Sequence, residues 1–191
     1  MVGKLVHAVP CAELEQEAID FIREFERYHS QPFGTAGLEE YAEDYSGWLR
    51  RLAEKRTLPP GGKKVPSETF FLVREEDHRI VGMITIRRYL NDALRHLGGH
   101  IGYCIRPTER RKGYNKRNLY LGLCFCWRCG IEEVFIDCDK ENIASAKSAV
   151  ALGGTLVEEF YDDQQFHCQV QKYVIPVNDA VARFRAVYDP D

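Results

Sequence analysis

The chain has 191 residues, a formal net charge of -3 and 45% apolar content, enough to build one sizeable core. No apolar run reaches the roughly 18 residues of a membrane span, so no membrane partner is expected, and MVGKLVHAVPC is too short and interrupted to be a secretory signal. Seven cysteines, an odd count in a chain without an export signal, are read as reduced thiols in a cytoplasmic protein.

Leu5 to Val9 reads as an edge strand ended by Pro10. In CAELEQEAIDFIREFERYH, Leu14, Ala18, Phe21, Ile22 and Phe25 fall at helical spacing. After the loop QPFGTAG, the stretch GLEEYAEDYSGWLRRLAEKR puts Leu38, Tyr41, Tyr45, Trp48, Leu49 and Leu52 on one side, which predicts a second amphipathic helix. Its acidic residues Glu39, Glu40, Glu43 and Asp44 read either as a solvated face or as an attraction for a cationic amine. LPPGGKKVPS is a connector, because its prolines oppose any regular element. TFFLVREE and RIVGMITIRR form an antiparallel hairpin, NDALRHLGG a loop or single helical turn, and GHIGYCIRP a further strand.

GYNKRNLYLGLCFCWRC is the helix that follows, then the strand EEVFIDCD with Val134, Ile136 and Cys138 on one face and Phe135 and Asp137 on the other. ENIASAKSAVALGG predicts a short helix closing at Gly153 or Gly154. TLVEEF and FHCQVQKYVI make a terminal hairpin around YDDQ, and the tail from residue 177 to 191 is either a docked helix or a frayed end. The whole is read as a single α/β domain, 1–191. Cys124, Cys126, Cys129 and the nearby Cys138 invite a metal site. The first three lie at the end of one helix, however, where residues two apart do not share a face, and no metal is expected.

The segment GHIGYCIRPTERRKGYN, residues 99 to 115, carries the most chemistry. A strand runs through a proline into a basic turn and directly into a helix. The first backbone N–H groups of a helix have no internal partners, so with the helix dipole they form an anion site. Gly113 lets a ligand come close to the backbone, and Arg106, Arg110, Arg111, Lys112, Lys116 and Arg117 concentrate positive charge around it. These cations are either a solvated helix start or the cradle of a compact polyanion. A nucleic-acid partner would need basic residues spread along a face with exposed aromatics, which the acidic balance elsewhere opposes, so none is expected.

The order of strand, Arg110 to Asn115 turn, helix, strand and distal Asn142 resembles the acetyl-CoA-binding core of the GNAT acyltransferases. The turn of that family reads Gln or Arg, two residues, Gly, one residue, then Gly or Ala. Arg110 and Gly113 match, and Asn115 stands in the final small position. FLVREEDHRIVGMITIR, GGHIGYCIRPTERRKGY and CDKENIASAK are similar to a group of bacterial GNAT acetyltransferases of unassigned substrate, a likeness running from the first helix to about residue 176.

The resemblance implies a mixed central sheet of six to seven strands flanked by helices, with two splayed parallel strands holding acetyl-CoA. The backbone of Tyr103, Cys104 and Ile105 would bind the pantetheine arm, and Arg110, Arg111, Lys112, Gly113, Tyr114 and Asn115 the pyrophosphate. Asn142 and Ser145 would orient the arm. A primary amine of a small molecule or peptide would attack directly in a ternary complex. His100 or Asp137 would take its proton; His100 is open equally to a backbone-satisfied structural role, and Asp137 reads more readily as a surface residue or the partner of a cation. The family's usual tyrosine acid falls at Ala149, which with Asn115 keeps open a non-catalytic acyl-CoA-binding sensor. Homodimer formation is left open.

Overall fold

The computed structural model describes residues 4–59 and 61–188. Met1 to Gly3 of the amino-terminal segment, Pro60 of the connector and the tail end 189–191 lie outside the described residues. The strands are β1 (Leu5–Ala8), β2 (Ser67–Arg74), β3 (Arg79–Arg87), β4 (Ile101–Ile105), β5 (Glu133–Asp139), β6 (Thr155–Asp162) and β7 (Cys168–Pro176). The helices are α1 (Glu15–Arg27), α2 (Tyr45–Arg56), α3 (Asp92–His96), α4 (Tyr114–Arg128), α5 (Ile143–Ala151) and α6 (Val177–Tyr188). The two hairpins fall where the alternating segments placed them, β2 against β3 and β6 against β7, both antiparallel.

The strands divide into a sheet of order β1-β2-β3-β4 and a second of order β5-β7-β6. The break falls between β4 and β5, the pair expected to splay. They are joined at their starts, where the His100 N–H donates to the Phe135 carbonyl at 2.7 Å and the Phe135 N–H donates to His100 Nδ1 at 3.1 Å. Gly99 permits that junction. Its φ is +57°, and a Cβ there would stand 2.4 Å from the Phe135 oxygen.

One face of the first sheet buries Phe71, Val73, Ile80, Met83 and Cys104 against α1 and α2, with Trp48 and Phe25 fully enclosed. On the opposite side Ile84, Ile86 and Ile101 join Leu119, Leu123 and Cys126 of α4 and Val134, Ile136 and Ile175 of the second sheet in one cluster. Each such aliphatic side chain contributes about 1.5–3 kcal/mol by leaving water. The tail resolves in favour of docking: α6 buries Val177 and Ala180, and Phe184 and Tyr188 pack on the same cluster. Cys124 and Cys126 lie on α4, Cys126 in the core, Cys129 is its exposed C-cap, and no disulfide forms among the described residues.

The second amphipathic helix is broken, a correction to the continuous helix predicted over GLEEYAEDYSGWLRRLAEKR. Leu38–Tyr41 is a 3-10 turn, and α2 starts afresh because Asp44 leaves helical geometry and its carboxylate accepts from the Gly47 N–H at 2.9 Å. Apolar spacing runs through the break, which is why periodicity alone misses it.

A buried ion-pair knot ties α1 to the turn between β4 and α4. Arg106, expected among the cations of the basic turn, instead turns inward and is only 3% exposed. It donates from Nε to Glu24 at 2.7 Å, and its guanidinium also reaches Glu17 and the Ile80 carbonyl. Glu24 accepts as well from the Thr108 N–H at 2.9 Å and hydroxyl at 2.7 Å. Burial works against ionising Glu24, but the Arg106 and Thr108 bonds prevail and hold its pKa below the ordinary glutamate value. The stability from this pairing is present above the unfolded glutamate pKa and lost as pH falls through the lower folded value. Arg106→Gln, by leaving buried Glu24 only the longer Arg79 contact at 3.5 Å as a counter-charge, should cost about 3 kcal/mol in urea unfolding at neutral pH. The deficit should narrow once Glu24 protonates in acid; equal stability of variant and parent at neutral pH would contradict the role.

Candidate active site

The ladder phase of β4 decides which backbone groups face the splay. The Arg87 N–H donates to the His100 carbonyl and the Arg106 N–H to the Val81 carbonyl, with unbroken antiparallel register between. Residues 100, 102, 104 and 106 therefore turn their backbone groups to β3, and Ile101, Tyr103 and Ile105 turn theirs outward. Of the three residues named for the pantetheine arm, Tyr103 and Ile105 face the gap. Cys104 pairs with Met83, and its thiol is buried on the α1 and α2 side, where burial raises its pKa. Arg110 Nε donates to the Ile105 carbonyl at 3.2 Å, leaving the Ile105 N–H and both Tyr103 groups.

The basic turn ends at Gly113, whose φ of +81° makes it the left-handed residue before α4; a Cβ there would meet nothing within 4 Å. No side chain caps α4, and no acidic residue lies in its first turn. Glu109, buried beneath, draws Lys112 at 2.8 Å and Arg74 at 3.0 Å. Arg110 lies over the Phe25 ring and donates to Ser30 Oγ at 2.7 Å, and Arg111 is exposed with φ of +64°. The Tyr114 side chain is core, its hydroxyl receiving Arg74 at 3.3 Å, so only its backbone faces outward. Asn115 donates to Ser148 Oγ at 2.9 Å, and its buried Oδ1 has no partner among the described residues.

Asn142 caps α5, its side chain accepting from the Ser145 N–H at 3.1 Å. Ser145 Oγ lies 2.9 Å from the Tyr103 hydroxyl, so α5 is tied to β4 through one serine and to the basic turn through the next, Ser148. Ala149 is fully buried.

A cleft of about 1000 Å³ opens beside these residues, and Tyr103, Asp137, Asn142 and Ser145 line it together. The Gly98 N–H donates to Asp137 Oδ2 at 2.7 Å, while Oδ1 is buried without a partner. Burial raises the Asp137 pKa, against the Gly98 bond, Lys172 and Arg87. His100 and the turn from Arg110 to Asn115 stand off the cleft wall. His100 is buried and stacked on Phe135, and burial, then Arg95 and Arg87, lowers its pKa to about 4.

Sequence reasoning missed several wall residues. Arg87 donates to the Gly98 and Gly99 carbonyls, both at 2.8 Å, clamping the chain just before β4. The loop from Gln31 to Gly37 crosses over β4, its Gly34 carbonyl accepting from the Thr85 hydroxyl at 2.7 Å. Lys55 and Lys64 complete that side. The acidic run is spent internally: Glu39 accepts from Thr35, Glu40 pairs with Arg51, Glu43 with Arg23, and Asp44 caps α2.

The acetyltransferase (GNAT) domain family model matches residues 16–155. The chain belongs to the GNAT acetyltransferase family. It is by that membership an N-acetyltransferase, and the resemblance read from the basic turn is correct at family level. Among solved structures, RimJ of Mycobacterium smegmatis in complex with CoA-disulfide is similar with a TM-score of 0.72 and 17% identity, over 97% of this chain and 90% of that one. RimL, a ribosomal L7/L12 α-N-protein acetyltransferase in complex with coenzyme A, gives 0.67 and 14%, over 91% and 94%. The microcin C7 self-immunity acetyltransferase MccE, in complex with acetyl-CoA and AMP, gives 0.66 and 13%, over 91% and 92%. No curated protein matches by sequence.

Two histidines, the buried His100 and the half-buried His7, give this GNAT domain a pH signature. His7, whose Nε2 lies 2.9 Å from Asn118 Oδ1, is also lowered to about 4 by burial. Between that value and the unfolded pKa of about 6.5 the unfolded chain binds more protons, so stability rises with pH through the window and falls in acid. Urea midpoints should decline from pH 6.5 toward 4, and His7→Gln should flatten the slope; an unchanged slope would show that His7 is not buried neutral.

Proposed function

We propose that this chain transfers the acetyl group of acetyl-CoA to a primary amine by direct attack in a ternary complex, with Asp137 taking the amine proton. The observation that carries the assignment of the base is the Asp137 carboxylate. One oxygen is anchored by Gly98, and the other is buried on the cleft wall with no protein partner. Its raised pKa suits proton uptake better than an ordinary surface aspartate. His100 Nδ1 is already engaged by Phe135, which supports a role in closing the strand junction.

Three features support acetyl-CoA as the donor. The outward Tyr103 and Ile105 groups suit an extended amide-bearing arm. The uncapped α4 start with Gly113, flanked by Arg110 and Arg111, suits a diphosphate. The partnerless Asn115 Oδ1 offers an acceptor nearby. Acetyl-CoA bound there supplies a thioester carbonyl. Asp137 then accepts the amine proton, Asn142 holds the start of α5, and the Tyr103 and Ser145 hydroxyls provide donors on the cleft wall in place of the tyrosine that Ala149 lacks. Positioning of amine against thioester supplies much of the rate.

Gly113→Trp should abolish coenzyme A binding by calorimetry while costing only about 1 kcal/mol or slightly more in stability, from the positive φ. Unchanged affinity would remove the diphosphate site. Asp137→Asn should lower kcat/KM about 10²–10⁴-fold in thiol-release assays, with coenzyme A affinity retained. An unaltered rate would exclude Asp137 as the base, and tight coenzyme A binding with no thiol release across an amine panel would favour a sensor.

A further inference from the structure

The cleft is electrically two-sided. Asp137, Asp139 and Glu141 stand at the β5 end, while Arg51, Lys55, Lys63 and Lys64 line the side made by α2 and the connector, with Arg87 of β3 also on the wall. Of the acidic groups near the basic side, Glu40 pairs with Arg51, and Glu39, also on the wall, accepts from the Thr35 hydroxyl. Lys55 is half-buried and its ammonium donates only to the Ala36 carbonyl at 3.3 Å; among the described residues neither it nor Lys63, Lys64 or Arg87 has a carboxylate ion pair. Burial, then repulsion from Arg51, Lys64 and Arg87, pulls the Lys55 pKa down to about 8. On this side the cations outnumber the carboxylates Glu39 and Glu40, so the wall keeps an excess of positive charge that an anionic group on a ligand entering the cleft would offset.

Resting on the acetyltransferase reading above, we propose that the acceptor is an amine that also bears a carboxylate or phosphate, its anionic group held by Lys55, Lys64 and Arg51 while its amine faces Asp137. This reverses the cationic acceptor that the acidic run of the sequence suggested. A diamine or polyamine would place a second positive charge against the basic wall. An ω-amino acid or an aminoalkyl phosphate satisfies both ends at once. The recognition is charge-based and must weaken as salt screens it.

The test is thiol release from acetyl-CoA with matched acceptors. These are ω-amino acids of increasing chain length, the corresponding alkylamines and α,ω-diamines, and ethanolamine beside O-phosphoethanolamine. The best anionic acceptor should exceed its neutral counterpart by about tenfold or more in kcat/KM and its diamine counterpart by more still. Whether the carboxylates or the phosphate lead identifies the anion. The double variant Lys55→Gln, Lys64→Gln should bring the anionic acceptors down to the level of the neutral amines. Neutral amines or diamines matching the anionic acceptors, or an anionic preference that survives the double variant, would overturn the proposal. A readout that needs no turnover is the Lys55 ammonium titration by NMR. β-Alanine or O-phosphoethanolamine at saturation should raise its pKa toward the ordinary lysine range, and no movement with either counts against the site. Calorimetry with coenzyme A separates the two layers: loss of coenzyme A binding removes the acetyltransferase reading itself, whereas binding without anionic preference removes only the acceptor class.

Discussion

The His100 N–H donates to the Phe135 carbonyl, the Phe135 N–H returns to the His100 ring, and beyond that closed pair β4 and β5 share no ladder. The rest of the site depends on this. Strand edges inside a protein are normally paired, because a backbone N–H or carbonyl removed from water without a partner costs as much as a lost hydrogen bond. Here the Ile105 N–H and both Tyr103 groups are left facing a gap, and the sheet is held together around it by other means. Ile101 of β4 and Val134, Ile136 and Cys138 of β5 belong to the same apolar cluster, so the two halves share a core without sharing a ladder. The edge that remains is the surface proposed to take the extended arm of the cofactor.

A second arrangement leaves the proposed anion site open. Carboxylates that could neutralise the basic turn are placed beneath it. Glu24 holds Arg106 and Thr108 from α1, and Glu109 holds Arg74 and Lys112. The turn is thus fastened from the core side, while the N–H groups at the head of α4 and the exposed Arg111 face outward. The two roles of arginine are distinct: Arg106 is a buried strut, and Arg110 lies across the Phe25 ring at the surface. Truncating Arg106 would take the main counter-charge from buried Glu24, which is far costlier than losing the Arg110 surface contact.

Much of this was legible in the residues. Apolar alternation located both hairpins, helical spacing located α1 and α4, and Asn142 announced α5 by the same chemistry that caps it. Long-range partners were not legible. Nothing near Arg106 distinguishes it from Arg110; the difference is Glu24, which reaches it only once α1 lies on the sheet. The break before α2 hid because Leu38, Tyr41 and Tyr45 keep helical spacing across it, while the deciding event is a local bond from Gly47 to Asp44. The basic wall hid for a related reason, since Lys55, Lys64 and Arg87 come from three segments that no local pattern connects. The turn was readable because an anion site at a helix start is built from consecutive residues, whereas a cleft is assembled from distant ones.

Residue-resolved amide hydrogen exchange with and without coenzyme A tests the splayed-strand account most directly. In the free protein the Cys104 N–H, paired to β3, should exchange slowly and the Tyr103 and Ile105 N–H groups fast; coenzyme A should then slow Tyr103 and Ile105 together with Gly113, Tyr114 and Asn115. Equal protection of Tyr103 and Cys104 in the free protein, or coenzyme A protection that leaves these amides untouched, would contradict it.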